Sequence, residues 1–282
     1  MSGLPFLRLP LLVQWNILRK AENFSLFHLS LCSKTAHRLV KSANVVVKYM
    51  DFYFELSRGA DLLFCNSEEG FIKMLISEHP KHTQIATDHM MDIFKSVQVL
   101  TVDLYWNCII ENPLWKHHKS IDNLYIKHTE DHELSVEQIK FVLEELTVTK
   151  NFTILNRVVS GFQYSKGFEQ EEEVLVAFAD WVHFAAVLNS KTPSIILSKT
   201  RESSIAQLKT FVTVWMAKEK LDNLKKFRQV LREDGYTRQL FGEVMRGITH
   251  ERLSGHVVKV RRIDGKEAEV RMYSDLFELE CL

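Results

Sequence analysis

The chain is poor in the residues that interrupt folds. Its 282 positions include only five prolines and ten glycines. That scarcity argues against long linkers, collagen-like repeats and extended disorder. Nor is there a long uncharged apolar run. A transmembrane helix needs roughly 18 such residues, and the first apolar stretch is broken by Arg8, Gln14 and Asn16, unlike a secretory signal. Net charge is missing too: 36 basic residues balance 36 acidic ones, so nothing draws the whole molecule to nucleic acid or an anionic membrane. The four cysteines (Cys32, Cys65, Cys108, Cys281) are widely spaced and form no CxxC. That pattern fits free thiols in a reducing compartment. Cys32, on the apolar side of a helical stretch, is expected to be buried. Together these absences predict a soluble intracellular protein without a membrane partner.

Catalytic signatures are absent as well. There is no GxGxxG, P-loop, GxSxG or HExxH. No zinc finger or RNP motif supports nucleic-acid binding. The twelve histidines gather at His79 and His82, at His117 and His118, and at His128 and His132 with Asp131 and Glu133. None has a cysteine at zinc spacing, and KHTEDHE reads as a solvated loop. An enzyme with an unfamiliar site stays open as a reading, as carboxylates are too numerous to pair from sequence.

What the chain does have is apolar bulk, 46% hydrophobic and 11% aromatic, enough for a sizeable core. Its first fifty residues carry seven cations (Arg8, Arg19, Lys20, Lys34, Arg38, Lys41, Lys48) against Glu22, an asymmetry that suits an acidic partner or a solvated face. Pro10 suits the first turn of a helix, followed by Leu11, Trp15 and Leu18 at helical spacing, with Leu12 and Val13 broadening the stripe. Asn23 and Ser33 are expected to cap two further short helices, the last with Ala36, Leu39 and Val40 on one side. Three helices in about forty residues have too little core to stand alone. Their apolar surface must be covered by the rest of the chain or by another protein.

NVVVKYMDFYFEL reads as strand, residues 71–75 and 85–94 as helical, and residues 96–106, 120–129, 151–160 and 194–199 as strands. LSVEQIKFVLEEL is an amphipathic helix with a Ser135/Gln138 capping box. The acidic stretch from Glu171 is expected to be helical, with Val174, Phe178, Trp181 and Ala185 on one face. Residues 203–218 form a helix capped by Ser203 or Ser204; residues 224–233 favour neither helix nor strand; TRQLFGEVMRGI is helical. HVVKVRRIDGKEAEVRMY reads as a hairpin with a type I′ turn at Asp264–Gly265. Alternating strands and helices imply an α/β arrangement with parallel strands. The irregular strand spacing is leucine-rich-repeat-like rather than Rossmann-like. Tyr105, Trp106, Trp115 and Tyr125 lie near strand ends, where core packing is the preferred role over an aromatic contact patch.

The segment LRLPLLVQWNILRKAENFSLFHLSLCSKTAHRLVKS resembles an F-box: Leu9-Pro10, then Ile17-Leu18, then Leu26, Leu29, Ser30, Leu31, Cys32, Ser33 and Lys34. The C-terminal half resembles the F-box-associated domain of the large nematode F-box family, on Leu208, Phe211, Trp215, Arg262, Asp264, Gly265 and Phe277, with Lys209-Thr210 where an Asn is often seen. The resemblance implies an F-box at residues 1–45 and an α/β substrate-recognition (F-box-associated) domain at 46–282. With the strand spacing, the expected fold is a three-helix F-box followed by an irregular leucine-rich-repeat-like α/β domain that ends in a β-hairpin. It implies a substrate-recognition subunit of a Skp–cullin–F-box ubiquitin ligase. Such a subunit has no cofactor and no catalytic residue. Leu9, Pro10, Leu12, Ile17, Leu18, Leu26 and Leu29 would serve the adaptor-binding surface by the helix-in-groove mode. The rival reading is a leucine-rich-repeat-like interaction module outside any ligase.

Overall fold

A computed structural model describes residues 6–47, 49–55, 59–65, 71–76, 80–94, 98–105, 109–127, 132–200, 204–231, 238–273 and 275–282. The fold is mixed α/β. By internal contacts the chain divides into two compact units. The first comprises Met1–Asp122 with Glu145–Thr147, the second Asn123–Glu144 and Val148–Leu282.

The first unit opens with a 3-10 turn, Phe6–Arg8, and three short helices: α1 (Leu11–Leu18), α2 (Asn23–Cys32) and α3 (Lys34–Ser42). Pro10 is the N-cap of α1, with φ −55° and ψ 142°, just outside the helix rather than within its first turn. The N-cap of α2 is Glu22, not Asn23, which is buried at the helix start. Ser33 caps α3 as its spacing predicts, accepting the Ala36 N–H. Asn44 ends that helix in the left-handed region, φ 51°, which asparagine tolerates. Leu18, Leu26, Phe27, Ala36, Leu39, Val40 and Ala43 form the interior of this bundle.

Strands β1 (Tyr49–Glu55), β2 (Gly59–Cys65) and β3 (Phe71–Ile76) follow, antiparallel in sequence order. Residues 71–75 are therefore strand, not helix; pairing with β2 overrides their local preference. Helix α4 (Pro80–Ile93) leads to β4 (Gln98–Tyr105), which lies parallel to β1. On β4, Val102 and Leu104 are buried, and so is Asp103 between them. A short turn, Pro113–Lys116, capped by Asn112, buries Trp115.

The second unit is built on a mixed sheet in the order β5 (Ser120–Lys127), β6 (Thr147–Ile154), β7 (Glu173–Val176), β8 (Ser194–Thr200), β9 (Lys226–Leu231), β13 (Leu276–Cys281), β12 (Glu267–Met272), β11 (Val257–Arg261), β10 (His250–Arg252). Strands β6 to β9 run parallel, and the rest from β9 onward pair antiparallel. The connections between the parallel strands differ in kind. Helix α5 (Val136–Lys140), continued by one π-helical turn at Phe141–Glu145, leads to β6. Helix α6 (Phe184–Asn189) joins β7 to β8, and α7 (Ile205–Ala217) joins β8 to β9. Helix α8 (Arg238–Met245) leads to β10. The capping boxes of α5 (Ser135/Gln138) and α7 (Ser204/Gln207) are both formed. The acidic stretch from Glu171 is helical only at its end, where Ala185 lies in α6. Its first part leads into β7, whose Val174 and Val176 are buried, while Glu172 just before it and Glu173 accept from Asn151 (2.8 Å) and Ser194 (2.9 Å) on neighbouring strands.

Helix α7 buries Leu208, Phe211, Val212 and Trp215. Phe211 stands 4.5 Å from Phe227 of β9 and 6.2 Å from Phe277 of β13, centroid to centroid. Burying each such ring contributes roughly 1.5–3 kcal/mol. The β11–β12 hairpin turns through residues 262–266, where the Gly265 N–H donates to Arg262 O (2.9 Å) and the Arg262 N–H to Lys266 O (2.7 Å). Only Gly265 has positive φ there, +91°. The loop is thus a type I turn closed by a left-handed glycine, in place of the expected type I′ turn.

Gly167 is a glycine by necessity. A Cβ there would lie 2.1 Å from Asn189 O, 2.4 Å from its carbonyl carbon and 2.8 Å from Ser190 N, all backbone. Gly167→Ala is expected to lower unfolding stability by roughly 1–3 kcal/mol, the usual range for overpacking. Chemical denaturation of the full chain checks this; an unchanged midpoint would contradict the close approach.

Candidate functional site

Helix α1 carries apolar side chains around most of its circumference, interrupted only by Gln14 and Asn16. Its inner side is fixed largely by polar contacts. Buried Gln14 donates from Nε2 to Leu9 O (2.6 Å) and Leu7 O (3.3 Å), tying the entering chain to the helix. Trp15 Nε1 donates to Ser42 Oγ (3.0 Å), and Arg19 Nε to Ala43 O (2.9 Å), fastening α1 to the end of α3. Leu18, one turn after Gln14, completes this side in the core. With the inner side so occupied, the helix leaves its large aliphatics outside. Leu12 is 70% exposed, and Leu11, Val13 and Ile17 are exposed by about half.

The residues named from sequence thus separate into two groups. Leu12, Ile17 and Pro10 are exposed, and Leu9 and Leu29 are half-buried. Leu18 and Leu26, 2% and 0% exposed, lie in the interior and hold the bundle together, out of reach of any partner. Leu7, Leu11 and Val13 are exposed aliphatics that the motif does not single out, and Leu31 on α2, part of the motif but not of the expected adaptor surface, is exposed as well. The signal for them was Gln14: an amide at the centre of the stripe, able to satisfy two carbonyls, turns inward and rotates its apolar neighbours outward. Cys32 is exposed rather than buried.

A cluster of histidines joins these helices to α4. The Ser30 hydroxyl donates to Phe27 O (2.6 Å), so its oxygen accepts from His89 Nε2 (2.6 Å), which fixes the Nε2–H tautomer of that ring. His37 Nε2 meets Asp92 Oδ2 at 2.8 Å, Lys41 pairs with the other Asp92 oxygen, and the His37 and His89 rings lie 4.9 Å apart. Burial, with neighbouring His37 adding to it, holds His89 below the ordinary histidine value. Its folded pKa is therefore lower than its unfolded one. Its contribution to stability is complete above about pH 6.5 and is lost as pH falls below that. His89→Gln is expected to flatten the decline of melting temperature between about pH 7 and 5. An identical slope in the variant would show that another group sets it.

The other candidate groups do not converge. His117 pairs with Asp88 at 2.8 Å. His79, His128 and Asp131 lie outside the described residues, as do Trp106 and Cys108. Among the described residues no group of three or more His, Cys, Asp or Glu side chains could hold a metal ion. Trp115 is buried and donates to Ile109 O, while Tyr125 is exposed, so no aromatic patch unites them. No helix among the described residues is long and apolar enough to cross a membrane.

A bundle too small for its own core, presenting an unburied aliphatic helix, has the character of a protein-interaction module; exposed apolar patches of this kind mark contact sites. The match with known families names the module. Residues 6–48 are an F-box domain. No curated protein matches the chain, and no solved structure does.

Proposed function

We propose that this chain is the substrate-recognition subunit of a Skp–cullin–F-box ubiquitin ligase and acts inside the cell. The F-box docks on a Skp-type adaptor, which links it to the cullin, and the C-terminal part holds a protein target. The observation that carries the reading is the exposure of Leu11, Leu12, Val13 and Ile17 within residues matched to an F-box. Leu9, Pro10 and Leu29, with exposed Leu7 and Leu31, extend the proposed adaptor-binding surface. An aliphatic helix face laid into a groove of partner helices buries the area that this chain leaves in water. Arg8, Arg19, Lys20 and the α3 cations Lys34, Arg38 and Lys41 complement an acidic adaptor. Chemistry is left to the ligase; the subunit contributes proximity.

The C-terminal region is proposed as an F-box-associated domain of the nematode type. Supporting this, Leu208, Phe211, Trp215 and Phe277 lie together in one core. Arg262, 3% exposed, grips Asp264 through two bonds (2.9 and 2.7 Å) beneath the hairpin tip. The run of parallel strands β6 to β9 favours a second reading, a leucine-rich-repeat-like interaction module that joins no ligase. Affinity purification of the tagged full chain under proteasome inhibition separates the two. Recovery of adaptor and cullin supports the first; recovery of neither supports the second.

A further inference from the structure

Strands β6, β7 and β8 run parallel, and in open sheets ligands bind outside the carboxyl ends of such strands. At that edge lies a cleft of about 280 Å³. It is lined by residues 157–163 after β6, by Phe178, Asp180 and Trp181 after β7, and by Glu133. Its size is at the low end for ligand sites and suits one or two side chains.

An anion is favoured beside the Phe178 ring, where two cations act: Arg157 in the cleft lining and Lys199 next to it. Arg157 Cζ stands 4.9 Å from the Phe178 ring centroid and Lys199 Nζ 4.2 Å from the same centroid, so two cations share one ring. Neither pairs with a carboxylate among the described residues. Lys199 is held in the left-handed region, φ 47°, where β8 loses register between Leu197 and Thr200. Irregularities of this kind re-aim side chains, and strained residues cluster at binding sites. Trp181, 3% exposed, brings an indole N–H that has no acceptor among the described residues. Of these groups Arg157 and Trp181 line the cleft, and Lys199, outside the lining, adds positive charge beside the Phe178 ring. Glu133 and Asp180 on the same lining oppose a doubly charged phosphate more than a single carboxylate, and they offer acceptors to peptide N–H groups.

We propose that this cleft binds an acidic side chain, Asp or Glu, within an extended peptide segment of a partner protein. The proposal rests on the receptor reading and supplies its target-capture site. The purified full chain is applied to arrays of random decapeptides carrying a fixed central Glu, Gln or phosphoserine. Retention on the Glu set at least about tenfold above the Gln set is expected, falling with salt. Arg157→Ala and Lys199→Gly are each expected to reduce it by about tenfold or more. Glycine adopts φ 47° freely, so the second variant keeps the fold. Equal retention on Glu and Gln sets, retention on phosphoserine alone, or indifference to both variants would overturn the proposal. Adaptor binding, read on the same samples, is expected to stay at the wild-type level in both variants. Its absence from the wild-type chain would count against the receptor reading, while the peptide signal alone decides the cleft.

Discussion

Changing Leu12 and Ile17 together to Asp is expected to weaken binding to a Skp-type adaptor at least about 100-fold while moving the melting temperature by no more than about 2 °C. Both side chains are exposed, so the folded chain loses few contacts by the change. The cost appears only on docking, where each aliphatic would otherwise be removed from water, a gain of roughly 1.5–3 kcal/mol apiece. Each new carboxylate must instead lose its hydration against an apolar surface, which costs several kcal/mol more unless a partner charge is present. Every 1.4 kcal/mol is about tenfold in affinity, so a hundredfold loss is the modest end. Co-purification with the tagged chain and circular dichroism melting read the two effects separately. Retained adaptor in the double variant would place the contact elsewhere.

Trp215→Ala is expected to destabilise the C-terminal unit by about 3–5 kcal/mol, the range for deleting a buried large aromatic. Trp215 is fully buried on α7, one turn beyond Phe211. Arg262 Cζ lies 5.5 Å from the indole centroid, with its guanidinium bound to Asp264 and to Asp222 O (3.2 Å). The indole is the apolar lid beneath a charge that is itself nearly inaccessible. Removing it leaves a cavity and admits water to that ion pair. In a unit of this size the loss corresponds to roughly 6–20 °C in melting temperature. A shift of less than about 2 °C would mean that the aromatic core does not hold the unit together. The same ion pair makes the unit acid-sensitive. Hydrogen bonding from Arg262 holds the Asp264 carboxyl well below the usual carboxylate range, so its stabilisation is complete at neutral pH and declines as pH falls below about 4.

Local chemistry was the legible part of this sequence. Ser33, Ser135 and Ser204 announce their helices because a hydroxyl satisfying nearby N–H groups needs no distant partner. The β11–β12 hairpin was legible for the same reason, although its turn type was not. There Arg262 and Lys266 close a longer loop than the Asp264–Gly265 pair alone suggests. The failures are non-local. Glu173 to Val176 and Phe71 to Leu75 carry helix-compatible residues, but each becomes a strand because neighbouring strands supply its hydrogen bonds. At the exposed aliphatic face the motif located the helix but not its rotation. Leu18 reads as surface and is core, Leu11 shares its stripe in the sequence and is exposed, and the difference is one glutamine amide reaching back to Leu9 and Leu7.

Isothermal titration of the purified full chain with a recombinant Skp-type adaptor tests the account most directly. One-to-one saturable binding is predicted, with a negative heat-capacity change from burial of the aliphatic face and with no detectable heat from the Leu12→Asp, Ile17→Asp variant. Failure of the wild-type chain to bind, or binding undiminished in the variant, would contradict it.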